Sequence, residues 1–156
     1  MMTKSQGAKA NLTGNRLERF IEHILRDCGF KLVKDKRRLV DAMRGVVEPS
    51  YARQVNIGTT IYGTPLICDF LIVHPQKWRG GLVIEAKWQQ VSGTVDEKYP
   101  YFVHNVYASE YETILVIDGG GYRPGAVDWL RYMQRGNLLH VFHMADFQSW
   151  VNQGNL

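Results

Sequence analysis

The spacing of apolar and polar side chains divides the chain into a series of helices and strands. Apolar residues recur at helical spacing after Asn11, and Gly29 is suited to end that helix. Polar and apolar residues alternate over residues 52–58, which predicts a half-exposed strand. Two apolar strands follow, over residues 66–73 and 82–88. The chain therefore begins with a helix and continues with three consecutive strands.

The second half of the chain alternates helices with strands. The predicted elements are a helix over 94–109, a strand over 113–118, a helix over 124–135, a strand over 138–142 and a closing helix over 145–151. A three-strand meander followed by such crossovers predicts an α/β fold with a mixed sheet flanked by helices. We expect residues 1–11 to be a flexible lead and residues 12–156 to form a single domain.

Three charged side chains interrupt the two apolar strands. Asp69 is the only charged residue of residues 66–73, and Glu85 and Lys87 lie on residues 82–88. Side chains of a strand alternate between its faces, so Glu85, Lys87 and Gln89 are expected on one face. Neighbouring strands would place Asp69 beside this group, where two carboxylates repel each other unless a cation lies between them. Hard divalent cations such as Mg²⁺ take oxygen ligands of this kind.

Asp69, followed by Glu85-Ala86-Lys87 on the next strand, resembles the active-site signature of the PD-(D/E)XK nuclease superfamily. That superfamily includes restriction endonucleases and Holliday junction resolvases. Cys68 stands where the motif name has Pro. The resemblance implies a restriction-endonuclease-like αβββαβ core and Mg²⁺-dependent hydrolysis of DNA, with Mn²⁺ able to substitute. It also implies that Asp69, Glu85 and the Ala86 carbonyl bind the metal, while Lys87 orients or activates the attacking water.

Two further polar residues are candidates for the same site. The first helix, with Gly14 before Glu18 and Gly29 at its end, resembles that of resolvase-like members. That resemblance makes Glu18 a candidate third acidic residue and metal ligand, and a solvated helix face is an equal alternative. Gln89, on the strand face of Lys87, is a candidate for positioning water or DNA.

Basic residues supply candidate contacts to DNA phosphates. The net charge of +4 permits nucleic-acid binding without requiring it. The candidates are Lys34, Lys36, Arg37, Arg38, Arg53 and Lys98. Lysine and arginine contact phosphates irrespective of base sequence. The alternative is that these charges are solvated on a turn and a helix surface.

Composition narrows the class of protein. No apolar run reaches transmembrane length, and the first residues lack the apolar region of a signal peptide. Cys28 and Cys68 lie in apolar surroundings and belong to no CxxC pair, which predicts buried thiols in a reduced, cytoplasmic protein. We expect DNA, and no membrane, as the partner.

Several functions remain open from sequence alone. The enzyme could read a DNA sequence, as restriction or homing endonucleases do, or it could recognise a structure such as a four-way junction. The chain could instead be an inactive DNA-binding module of the same fold, or Glu85 and Lys87 could form an ion pair in an unrelated α/β domain. Because one site cuts one strand, an enzyme that cuts both strands is expected to be a homodimer or a higher homo-oligomer.

Overall fold

The computed structural model of the chain describes the backbone of residues 4–37, 39, 45 and 48–156, and the side chains of these residues from Asn15 onward. The described part contains one six-stranded sheet whose strands follow chain order. The strands are β1 (Lys31–Leu32), β2 (Ser50–Thr59), β3 (Pro65–Val73), β4 (Leu82–Trp88), β5 (Glu112–Asp118) and β6 (Leu138–Phe142). The strands β2, β3 and β4 form an antiparallel meander, whereas β4, β5 and β6 are parallel.

Helices cover both faces of this sheet. The described helices are α1 (Lys4–Asp27), α2 (Tyr99–Ala108), α3 (Pro124–Tyr132) and α4 (Met144–Asn152), with a short 3-10 helix over Thr94–Lys98. The mixed sheet flanked by helices confirms the predicted fold class. No described helix is both long enough and apolar enough to cross a membrane.

The alternation of side chains along β5 divides the core into two layers. Ile114 and Val116 pack with apolar residues of α1 and α4 on one face. Leu115 and Ile117 pack with those of α2 and α3 on the other. A parallel strand buried on both faces is a continuous apolar run, which is the pattern of residues 113–117. The two layers place α1 on one side of β4 and α2 on the other.

Helix α1 ends where the sequence predicted but begins earlier. Gly29 has φ of +85°, and the N–H of Phe30 donates to the Leu25 carbonyl at 2.9 Å. Glycine adopts this left-handed conformation without a Cβ penalty, which explains the end of the helix. The helix begins at Lys4 rather than near Asn11, so its backbone extends into the segment predicted as a lead.

Two further details differ from the sequence predictions. The two-residue strand β1, which pairs in parallel with β2, was not predicted. The Cys28 thiol is exposed, because the residue follows the end of α1 instead of lying on its apolar stripe, whereas Cys68 is buried as predicted.

Candidate active site

Asp69 and Glu85 lie where β3 and β4 stop pairing. The antiparallel register joins Ile72 to Leu82, Leu71 to Val83 and Phe70 to Ile84, and the recorded pairing ends there. The next opposed pair in that register would be Asp69 and Glu85. In place of a ladder bond, the Asp69 carboxylate accepts a hydrogen bond from the Ala86 N–H at 2.8 Å. The strand separation therefore leaves the two carboxylates facing each other across the gap.

Glu85 is buried and has one cationic neighbour. Its side chain is 10% exposed, and the Lys87 ammonium lies 3.2 Å from its Oε2. Burial raises the pKa of Glu85 to about 7, a rise that Lys87 opposes and that Asp69 increases. A divalent cation would stabilise the ionised form of Glu85, because it binds the carboxylate and displaces the proton.

The neighbouring carboxylates keep Lys87 protonated. Partial burial of the ammonium alone would lower its pKa, but Glu85 and Asp69 outweigh that effect, and the net pKa of Lys87 is raised. The ammonium also lies 6.0 Å from the centre of the Phe102 ring. Lys87 is thus a hydrogen-bond donor and a positive charge at this site.

A cleft of about 460 Å³ opens from Glu85 and Lys87. Its walls are the β2–β3 hairpin on one side and the 3-10 helix with α2 on the other. The Asn105 side chain of α2 holds the hairpin by accepting the Ile61 N–H at 2.8 Å. The rings of Tyr62 and Tyr101 stack at 5.2 Å between centroids. A cleft of this size is typical of ligand sites, and the two charged residues lie within it.

The oxygen atoms at the site fit a hard divalent cation. Asp69 and Glu85 offer carboxylate oxygens, and a bound cation would oppose both the burial and the repulsion from Asp69 that raise the pKa of Glu85. No group of three or more histidine, cysteine, aspartate or glutamate side chains suited to a metal occurs in the described part of the chain. A ligand set here would therefore combine the two carboxylates with a backbone carbonyl, for which Ala86 is the candidate.

A comparison with protein families agrees with this geometry. The model of the PD-(D/E)XK nuclease superfamily domain matches residues 9–155. The chain belongs to the PD-(D/E)XK nuclease superfamily. Searches of curated proteins and of solved structures found no match. Nuclease superfamily membership agrees with the arrangement of Asp69, Glu85 and Lys87 on two neighbouring apolar strands.

The other predicted residues of this PD-(D/E)XK domain lie in different surroundings. Glu18 forms an ion pair with Arg53 of β2, and Arg53 also lies 3.5 Å from Glu22. The Glu18 charge still contributes to the raised pKa of Lys87, although its carboxylate is directed to Arg53. The metal-ligand role of Glu18 remains a prediction, and in this arrangement it would require Glu18 to exchange its partner.

Gln89 is not brought to the carboxylates. Strand β4 ends at Trp88, so the alternation that placed Gln89 beside Lys87 stops one residue earlier. Its side chain is 3% exposed, and its Oε1 accepts the Tyr99 hydroxyl at 2.5 Å. Its amide approaches the Gly121 carbonyl at 3.4 Å. Gln89 therefore joins the end of β4 to the loop after β5.

The predicted phosphate contacts are spread over different environments. Lys98 is exposed and lines the cleft, whereas Arg53 is paired with two glutamates. The Lys36 ammonium donates to the Gln54 carbonyl at 2.5 Å. Lys34 and Arg37 are exposed, and Arg38 lies outside the described residues. Of the predicted basic residues that are described, Lys98 is the one at the mouth of the site.

Sequence reasoning missed Gln54. Its Nε2 lies 3.3 Å from Asp69 Oδ1, and its φ of +51° is unusual for a residue other than glycine. It lies between Arg53 and Val55, which pair with Phe70 and Cys68. This backbone conformation directs the Gln54 amide toward Asp69. The sequence gave no sign of this contact, because a polar residue is expected in an alternating strand.

Proposed function

We propose that this PD-(D/E)XK nuclease superfamily domain is a Mg²⁺-dependent endonuclease that hydrolyses phosphodiester bonds of DNA and reads a DNA sequence. The observation that carries the proposal is the meeting of Asp69 and Glu85 where the pairing of β3 with β4 stops, with the Lys87 ammonium 3.2 Å from Glu85. Perturbed ionisable groups in a cleft are typical of catalytic sites. The cytoplasm is the compartment we propose for it.

Asp69, Glu85 and the Ala86 carbonyl would hold the cation. Mg²⁺ there would neutralise phosphate charge and lower the pKa of a water, and Mn²⁺ would serve the same purpose. The Ala86 N–H orients the Asp69 carboxylate, and the Gln54 amide contacts its other oxygen. These two hydrogen bonds fix Asp69 before substrate arrives, which reduces the cost of assembling the site.

Lys87 would act on the phosphate and on the attacking water. Its ammonium is positively charged and partly exposed in the cleft, so it can donate to a phosphate oxygen while it remains near Glu85. Donors aimed at developing negative charge lower the barrier of such reactions. The protonated state supported by Asp69 and Glu85 favours charge stabilisation and water orientation over proton abstraction.

A structure-specific nuclease is the second candidate within the superfamily. The sequence feature that supported this candidate is Glu18, whose position on the first helix resembles that of a glutamate in resolvase-like members. Because Arg53 holds this carboxylate, the feature specific to that alternative is engaged elsewhere. We therefore place sequence-reading cleavage first. An inactive DNA-binding module is disfavoured, because all three residues of the signature are present and meet.

The test is cleavage of supercoiled plasmid, linear duplex and a four-way junction, each with Mg²⁺ and with EDTA. Asp69→Asn, Glu85→Gln and Lys87→Ala should each reduce the rate about 100-fold or more, because each removes a metal ligand or the charge at the phosphate. Matched controls are Asp128→Asn on the exposed side of α3 and Lys31→Ala, whose exposed ion pair joins Glu48. Both controls should cut at the wild-type rate.

The products separate the candidates. Discrete plasmid fragments that disappear in EDTA support the proposal, and cutting of the junction alone would replace it with a structure-specific nuclease. If Lys87→Ala cuts as fast as wild type, the assignment of the site is wrong. If no substrate is cut while DNA is still bound, the inactive binding module is correct.

A further inference from the structure

Two glutamates of α1 and a group of its basic residues lie on different sides of the helix. Glu18 and Glu22 face β2, where Arg53 pairs with both carboxylates. Glu22 also accepts the Tyr51 hydroxyl at 2.7 Å. Residues of β2, together with Arg26 of α1, therefore pair with Glu18 and Glu22, and these glutamates are not partners of the other basic residues of α1.

Arg16, Arg19 and His23 form the basic side of α1. They lie three and four residues apart, which is the spacing of neighbours on one helix face. All three are exposed. His23 lies 3.3 Å from Asp27, whereas Arg16 and Arg19 have no ion pair or side-chain hydrogen bond within the described part of the chain. Two guanidinium groups one turn apart, without partners among the described residues, are suited to a phosphate, which guanidinium binds through paired hydrogen bonds.

A cavity of about 560 Å³ adjoins these arginines. We call it the α1 pocket, and its residues are Arg16, Arg19, Phe20, His23, Trp88 and Met144. The indole Nε1 of Trp88 is buried and has no acceptor among the described residues. A buried donor without an acceptor is uncommon in folded proteins. Trp88 lines the α1 pocket, so its indole would lie beside a phosphate bound there.

The α1 pocket lies at the strand end that carries the active site. Trp88 directly follows Lys87 on β4, and strand alternation sends the two side chains to opposite faces. DNA carries a negative charge on each phosphate, so positive charge on surfaces beside the site favours its approach. Of the predicted basic residues, Lys36 and Arg53 are engaged within the protein. Arg16 and Arg19, which have no partner among the described residues, can supply that charge.

We infer that the α1 pocket binds a backbone phosphate of the DNA substrate, an inference that rests on the proposed function. Arg16 and Arg19 would donate hydrogen bonds to the phosphate, next to the end of β4 that carries Lys87. Contacts of this kind position the duplex and carry no base information. Sequence reading would then fall to other surfaces, among them the walls of the cleft.

The test is DNA binding as a function of salt, measured by fluorescence anisotropy of a labelled duplex in the Lys87→Ala background with Mg²⁺. The double variant Arg16→Ala/Arg19→Ala should bind about tenfold more weakly near 50 mM salt, and its slope of log affinity against log salt should shrink by about 1–2. The control Arg131→Ala/Arg135→Ala removes the same charge from the end of α3 and the turn that follows it, on the opposite face of the sheet. Its slope should stay that of the parent.

A second readout locates the phosphate. Binding of DNA should change tryptophan fluorescence in the Lys87→Ala parent, and the added substitution Trp88→Phe should remove most of that change. An unaltered salt slope in the α1 variant, an equal loss in the α3 control, or a fluorescence change that survives Trp88→Phe would each overturn the inference. Inorganic phosphate that quenches Trp88 without competing with DNA would show an adventitious ion only. Because binding is measured without cutting, these outcomes are independent of whether the wild-type protein cleaves DNA.

Discussion

Arg53 illustrates how tertiary contacts redirect a side chain whose role looked clear in the sequence. It was predicted among the phosphate contacts, yet in the structure it pairs with Glu18 and Glu22 and lies 5.4 Å from the centre of the Phe70 ring. Its Nε is buried without a partner among the described residues. Local sequence shows a basic residue in a strand, and only the packing of α1 on β2 shows two carboxylates beside it.

Replacement of Arg53 should therefore affect stability before it affects DNA binding. Arg53→Ala leaves the Glu18 carboxylate without its cation and leaves Glu22 with Arg26 alone, and we expect a loss of about 1–2 kcal/mol in the free energy of unfolding. Urea denaturation measures the loss. The control Arg131→Ala breaks an exposed contact of 4.0 Å with Asp146 and should cost less than about 0.5 kcal/mol. Equal stabilities of the two variants would contradict the structural role of Arg53.

At the scale of elements, the glycine-rich loop after β5 supports the end of β4. The Gly121 N–H donates to the Gln89 carbonyl at 2.7 Å. A Cβ on Gly121 would lie 2.3 Å from the backbone carbon of Gln90, closer than packed atoms approach. The loop and the end of β4 thus fit together through backbone contact, two residues beyond Lys87.

Gly121→Ala should separate this loop from β4. We expect a loss of about 1–3 kcal/mol in stability from the overlap and slower cleavage, because Lys87 lies on the displaced strand end. Thermal unfolding and plasmid cleavage measure the two effects. The control Gly125→Ala in α3 meets no atom within 4 Å and should be neutral or slightly stabilising. Unchanged stability of Gly121→Ala would show that the loop adapts.

The elements that the sequence predicted well are those in which apolar residues recur at regular spacing over many positions. The meander, the parallel strands and the four predicted helices follow from such patterns, and the order of these predicted elements is confirmed. The strand β1 has two residues and no period, so nothing in its sequence marks it. The start of α1 at Lys4 was missed because residues 4–10 carry few apolar side chains.

The site was predictable to a similar degree. Asp69, Glu85 and Lys87 stand out because charges in apolar strands are rare, and the structure brings them together. The partners of Gln89, Tyr99 and Gly121, were not predicted, because β4 ends at Trp88 and the alternation of side chains ends with it. The role of Gln89 in the site remains a prediction. The partners of Glu18 and the approach of Gln54 to Asp69 depend on contacts between elements distant in sequence, which no local pattern contains.

At the scale of the whole molecule, the number of active sites determines what the enzyme can do to a duplex. One Asp69–Glu85–Lys87 site cuts one strand, so a double-strand cut in a single event needs two sites related by symmetry. We propose a homodimer or a higher homo-oligomer on this ground. Such an assembly should elute above the mass expected for the 17.9 kDa chain in size-exclusion chromatography with light scattering.

Plasmid cleavage by mixed assemblies tests this proposal. A homodimer should convert supercoiled plasmid directly to the linear form, and chains co-expressed with excess Lys87→Ala should instead release open circles, because each mixed dimer retains one working site. Asp128→Asn, co-expressed in the same ratio, should leave the linear product unchanged. If wild-type protein produces open circles first at every protein concentration and elutes as a monomer, the two-site assembly is wrong and the enzyme cuts strands one at a time.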